Sequence, residues 1–194
     1  MKTIAIIPSG GTGSRTGLNV PKQYYKVNNK EIIAYTLQVF QNSPFIDEII
    51  VAAKSDFFDV LSNIKDKHKI TKLVKIVEGG KERQNSVFNA LSAIPPSDNC
   101  LVAVHDAARP LLPLDILNSA VNTAKETGNA VVAIKAKDTL IKQNINSVDY
   151  LDRNSIYYVQ TPQIFSYNIL FEAFKSAELE NFIGTDESML VSKI

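Results

Sequence analysis

The sequence predicts an α/β fold with a mostly parallel sheet flanked by helices, and three observations carry that prediction. Short, nearly continuous apolar runs rich in Val and Ile recur along the chain, as in strands covered on both faces. Amphipathic stretches of helical period separate them. Polar clusters follow three of the runs, at the carboxyl strand ends where open α/β sheets place their ligands.

Taken in order, Thr3 to Pro8 reads as the first buried strand, followed by Glu48 to Ala53, Leu73 to Glu78, Leu101 to His105 and Ala130 to Ile134. The intervening helices are Glu31 to Gln41, Asp56 to Lys67, Glu82 to Ile94 and Leu114 to Thr127. In the first, Ile32, Ile33, Leu37, Val39 and Phe40 fall largely on one side. Pro95-Pro96 ends the third, and Gly128 is placed to stop the fourth. This β-α-β-α order argues for a Rossmann-like sheet. After Lys135 the rhythm changes. Thr139 to Gln143 and Val148 to Leu151 alternate around a polar Asn-Ile-Asn-Ser turn, predicting a protruding β-hairpin arm at about residues 138–158 that packs on a second subunit. Ser166 to Lys175 and Asp186 to Ser192 read as helices. The expected organisation is one domain over residues 1–194.

Composition excludes several classes. The chain has 194 residues, 45% hydrophobic and 21% charged, with net charge +1, so bulk electrostatics favour neither nucleic acid nor an anionic membrane. No apolar run approaches the ~20 residues of a membrane span. The N-terminal apolar run is too short for a secretory signal. Cys100 is the only cysteine, which precludes an internal disulfide; it reads as a small core residue, and the cytoplasm is the expected compartment. With only His68 and His105 besides, no Cys/His metal cluster exists.

The first polar cluster is "PSGGTGSRTGLNVPKQY", Pro8 to Tyr24. It is not a Walker A loop, because no Lys-Ser or Lys-Thr follows its glycines. It is not the dinucleotide fingerprint, because Thr16 occupies the third glycine position, which disfavours an NAD-dependent oxidoreductase. Gly10, Gly11 and Gly13 allow amide N–H groups to approach phosphate oxygens, while Arg15 and Lys22 add two cations. That set suits a triphosphate; a tight strand-to-helix turn with two solvated cations satisfies the same residues. The second cluster, "EGGKERQNSV", opens a helix on which Arg83 and Ser86 share a face, Arg83 within reach of a phosphate and Ser86 of a base edge. An ordinary loop is the alternative. The third, "HDAARP", puts Asp106 just past a buried strand, a natural Mg²⁺ ligand beside a triphosphate, with Arg109 one turn on. His105 reads as a structural, hydrogen-bonded histidine.

In order, "GGTGSRTGLNVPKQY", "GGKERQNSV", "HDAARP", "KDT", "DRN", "TPQIF" and "TDE" resemble the 2-C-methyl-D-erythritol 4-phosphate cytidylyltransferase family over nearly the whole chain. The resemblance implies transfer of a cytidylyl group from CTP to a sugar-alcohol phosphate, with Mg²⁺ and without a covalent intermediate. It implies that Pro8, Ser9, Gly10, Gly11 and Gly13 belong to the CTP cradle, and that Arg15 and Lys22 stabilise the transition state. Gly80 and Ser86 match cytosine contacts. Asp106 matches the magnesium-side carboxylate, and Arg109 and Thr161 the wall near the acceptor. Thr139 and Arg153 match an arm that reaches the partner's sugar phosphate, Arg153 acting there in catalysis, so the resemblance implies a homodimer.

Two departures qualify it. Ser9-Gly10 is similar to ribitol-5-phosphate cytidylyltransferases, although those more often read "HDSVRP" and "TDA" where this chain has "HDAARP" and "TDE". The family pattern also continues past the "TDE" helix into strands and an N-x-K stretch, whereas the sequence here ends "MLVSKI". The expectation is weak or absent turnover by this polypeptide as it stands, with a non-catalytic nucleotide-binding module as the other-class alternative.

Overall fold

The computed structural model describes residues 1–11, 17 and 20–194. Gly13 and Arg15 of the first cluster lie outside the described residues. Six strands form the central sheet: β1 (Lys2–Pro8), β4 (Glu48–Ala53), β5 (Leu73–Glu78), β6 (Cys100–Val104), β7 (Asn129–Lys135) and β10 (Tyr157–Ser166). Their spatial order is β5-β4-β1-β6-β10-β7. β5, β4, β1 and β6 are mutually parallel, and β10 runs antiparallel to both β6 and β7. Two short ribbons complete the strands: β2 (Lys26–Val27) with β3 (Lys30–Glu31), and β8 (Leu140–Gln143) with β9 (Val148–Leu151). The second ribbon is the expected arm, paired from Leu140↔Leu151 to Gln143↔Val148.

Alternation along the strands sorts side chains into two cores. Ala5, Ile7, Ile49, Val51, Leu101 and Ala103 face one side, under α1 (Ile32–Asn42), α2 (Phe58–Lys67) and α4 (Leu114–Thr127). Ile4, Ile6, Ile50, Ala52, Val102 and Val104 face the other, under α3 (Arg83–Ser92), α5 (Tyr167–Leu179) and α6 (Glu187–Val191). The continuous apolar runs of β1, β4 and β6 are covered on both faces, whereas β5 and β7, expected as buried strands, are the two edges of the sheet and leave Val74, Val131 and Ile134 exposed. Gly128 ends α4 at φ 87°, a left-handed value that favours glycine, and its amide donates to the Ala124 carbonyl at 2.9 Å. Cys100 is buried. Among the described residues no helix is long and apolar enough to cross a membrane.

One element departs from the sequence expectation. Residues 157–166 form β10, the longest strand at ten residues, where only the following helix is legible. The pairing with β7 shifts register between Val159 and Gln163, and Pro162 sits in that irregularity, where its missing N–H costs no ladder bond.

The turn from β5 into α3 is tightly constrained. A Cβ at Gly80 would sit 2.2 Å from Asn85 Cβ and 3.0 Å from the Asn85 carbonyl carbon. Asn85 Oδ1 meanwhile accepts from the Glu82 amide at 3.1 Å, capping α3. Gly80→Ala is expected to displace Asn85 and cost about 1–2 kcal/mol, read as a lowered urea midpoint at unchanged m-value.

Candidate active site

The three polar clusters meet at neighbouring strand tips. Pro8 of β1 pairs with Ala52 of β4, and the His105 amide donates to the Ile6 carbonyl at 3.0 Å, so the ends of β1 and β6 lie side by side. The start of the first loop is fixed from below. Gln23 Nε2 donates to the carbonyls of Ser9 at 2.8 Å and Gly11 at 2.7 Å. Ser9 Oγ donates to Tyr24 Oη at 2.8 Å, and the Tyr24 ring stacks on Phe57 with centroids 4.0 Å apart. Gln23 and Tyr24 thus act as struts, a task the sequence reading did not give them. Lys22 begins the same 3-10 turn and is itself exposed.

Burial pushes the Tyr24 phenol up to about 12, against the bond from Ser9. A raised folded value means that the stability held by the neutral phenol is complete below about pH 10 and is lost as pH climbs through the folded value. Ultraviolet titration should therefore show a phenol ionising near 12, and Tyr24→Phe should abolish that late phase.

The second cluster touches the first. A methyl at Gly10 would lie 3.2 Å from Ser86 Oγ, which itself accepts from the Gly80 amide at 3.0 Å and donates to the Glu82 carbonyl at 3.1 Å. Ser86 is 1% exposed. The glycines at 10 and 80 therefore close around one buried hydroxyl.

The third cluster joins the second through charge. Arg83 Nε donates to Asp106 Oδ1 at 3.0 Å, and Arg109 Nε donates to Asp106 Oδ2 at 2.8 Å. Arg109 Nη1 also donates to Gln160 Oε1. The Asp106 amide donates to Thr161 Oγ1 at 3.3 Å. Burial alone would raise the Asp106 carboxyl, but Arg83 and then Arg109 outweigh it and hold it below its ordinary range. His105 is 1% exposed, bonded through Nε2 to the Arg109 carbonyl at 3.1 Å, and burial lowers its pKa. It sits neutral beneath the tip.

Arg83 departs from its expected phosphate contact. Its two terminal nitrogens donate to the two oxygens of Glu187, at 2.6 and 3.1 Å, so a phosphate would have to break two ion pairs to reach it. Glu187 had no role in the sequence reading beyond its place in "TDE". An acid in the first turn of a short helix reads as a dipole partner, and its real contact lies 104 residues away. Thr139 and Arg153 are exposed on and beside the arm, and Arg153 donates to the Lys137 carbonyl at 3.2 Å. Among the described residues, no hydrogen bond or ion pair joins either to the Asp106 cluster.

Among the described residues, Asp106 is the candidate ligand for a divalent cation. Among the described residues, no three His, Cys, Asp or Glu side chains group around a common point. Each Asp106 oxygen, however, accepts one N–H and retains a further lone pair. A single hard oxygen ligand fits Mg²⁺ that arrives with nucleotide phosphates.

A family model described as 2-C-methyl-D-erythritol 4-phosphate cytidylyltransferase matches residues 3–194. The chain belongs to this family. The curated relative of that name from Clostridioides difficile (strain 630) is 41% identical over 194 residues, covering 97% of this chain and 80% of the relative. Another from Syntrophus aciditrophicus (strain SB) is 38% identical over 198 residues, covering 100% and 83%. The crystal structure of the 4-diphosphocytidyl-2C-methyl-D-erythritol synthase from Anaerococcus prevotii DSM 20548 matches with a TM-score of 0.85 at 28% identity, over 98% of this chain and 81% of that one. The Francisella tularensis 2-C-methyl-D-erythritol 4-phosphate cytidylyltransferase matches at 0.81 and 32% identity, over 100% and 86%. In this cytidylyltransferase family member the fold and the family expected from the sequence both hold.

Proposed function

We propose that the protein transfers the cytidylyl group of CTP to 2-C-methyl-D-erythritol 4-phosphate. An oxygen of the acceptor phosphate attacks the α-phosphorus, a new O–P bond forms, and the bond to the β-phosphate oxygen breaks with its electron pair leaving on pyrophosphate. No side chain is consumed, so catalysis is positioning and charge stabilisation. Backbone amides of Ser9, Gly10, Gly11 and Gly13 cradle the phosphates, with Lys22 and Arg15 countering the charge that builds on them. Gly80 and Ser86 face the base. Asp106, Arg109 and Thr161 form the acceptor wall. Mg²⁺, held by Asp106 and the triphosphate oxygens, would supply further neutralisation of charge.

The observation that carries this reading is the approach of Gly10 to Ser86, at 3.2 Å for a built Cβ, joined to Asp106 through Arg83 at 3.0 Å. The Ser86 hydroxyl, the Gly10 turn and the Asp106 carboxylate thereby lie together, which supports one shared site for base, phosphates and acceptor. The homodimer belongs to the same reading. Arm and edge residues Ile145, Tyr150 and Tyr157 are 98%, 78% and 55% exposed, an apolar surface suited to a second copy that would bring Thr139 and Arg153 to its partner's site.

The test is pyrophosphate release from CTP with Mg²⁺, the acceptors being methylerythritol phosphate and ribitol 5-phosphate side by side. Release only with methylerythritol phosphate is expected. Equal or better release with ribitol phosphate would transfer the proposal to that acceptor, and no release with either from a folded chain extended through the family's further strands would overturn it.

A further inference from the structure

The Arg83–Glu187 contact is built as a fixed strut. Glu187 is 1% exposed, and both its oxygens meet the two terminal nitrogens of Arg83, the planar fork that matches a carboxylate. The helix that carries it is anchored independently. Gln84 holds the preceding loop by donating to the Phe182 carbonyl at 3.0 Å and accepting from the Gly184 amide at 2.9 Å. Gln163 Oε1 accepts from the Ser188 amide at 2.8 Å, and Asp186 Oδ1 accepts from the Met189 amide at 2.9 Å. With α6 so placed, Glu187 leaves Arg83 one orientation, in which Nε aims at Asp106.

We infer that Glu187 is a positioning residue: by clamping the Arg83 fork it sets the rotamer of Asp106 at the strand tips, and through it Arg109. The chain of contacts is Glu187 to Arg83 at 2.6 Å, Arg83 to Asp106 at 3.0 Å and Asp106 to Arg109 at 2.8 Å. Two acids and two guanidinium groups alternate along it, so each charge is held by an opposite neighbour. The last helix, distant in sequence from every strand-tip cluster, thereby governs the acceptor side of the site. The catalytic part of this inference rests on the cytidylyl-transfer reading; the clamping part does not.

The test is Glu187→Gln, an isostere that keeps the shape and one acceptor oxygen but loses the charge and the bidentate match. Kinetics and the nitrogen-15 spectrum of the arginine side chains are read together, the latter being simple because the chain has four arginines. The Arg83 Nε–H, bonded to Asp106, is expected to give an exchange-protected signal in the parent and to lose it in Glu187→Gln. On the activity side, kcat should fall at least tenfold, KM for CTP should stay within threefold, and α6 should remain folded by circular dichroism. A Nε–H signal unchanged in the variant overturns the inference, as does a kcat within twofold of the parent. Loss of helix content together with equal changes in kcat and KM would also overturn it, in favour of a merely structural role. If neither this chain nor one extended through the family's further strands turns over an acceptor, the transfer reading fails on that result alone, and the Nε–H comparison still decides the clamp.

Discussion

Replacing Lys22 by alanine is expected to reduce turnover at least a hundredfold while changing CTP affinity less than tenfold. Lys22 is exposed and opens the 3-10 turn whose next two residues brace the Ser9–Gly11 backbone. Its backbone is therefore fixed while its ammonium is exposed, suited to a charge that develops during displacement. In the proposed reading the ground-state triphosphate also meets backbone amides, so one lost cation should weaken binding little. In the transition state the same cation is worth ~3 kcal/mol, or about a hundredfold or more in rate. Steady-state kinetics with a separate CTP titration check this. Equal losses in kcat and affinity would mean that Lys22 binds both states alike. A folded parent chain that binds CTP without turnover would instead favour the nucleotide-binding module.

Arg83→Ala is the change expected to damage stability most. It leaves Glu187, 1% exposed, without the guanidinium that both its oxygens meet, and frees one oxygen of Asp106. Breaking a buried pair from one side costs about 3–5 kcal/mol. The sign of its pH dependence follows from burial, which already raises the Glu187 carboxyl against the opposing pull of Arg83. With Arg83 gone, burial, joined by the charge of Asp106, raises it further against only a backbone hydrogen bond. An acid whose folded pKa is raised imposes no cost below the unfolded value of about 4.3, and a growing cost as pH rises through the folded one. Urea denaturation of Arg83→Ala should thus show a large deficit near pH 8 that narrows towards pH 5. A deficit independent of pH would show that the buried carboxylate is not its source.

Much of this architecture is written in local pattern. The parallel strands, α4 with its Gly128 stop, and the arm turn at 144–147 announce themselves because their periodicity is uninterrupted. β10 does not, because Gln160, Pro162 and Gln163 interrupt the apolar alternation where the register shifts. The meeting of the three strand-tip clusters was legible from topology alone. What filled the space between them was not. Gln23 and Glu187 act through contacts 14 and 104 residues away, and no motif spacing encodes such pairings. Arg83 illustrates the same limit, since a cation at a helix start is equally suited to phosphate or carboxylate, and only three-dimensional placement chose.

The position of β10 between β6 and β7 has a consequence for biosynthesis. Because, among the described residues, β7 pairs only with β10, a nascent chain that has not yet emerged past residue 166 cannot join β7 to the sheet. Until then the β6 border stands uncovered, a ladder of open amides and carbonyls next to the strand-tip clusters. Ribosome-bound intermediates of this length should accordingly be the most prone to mispairing with other chains and the most dependent on chaperones.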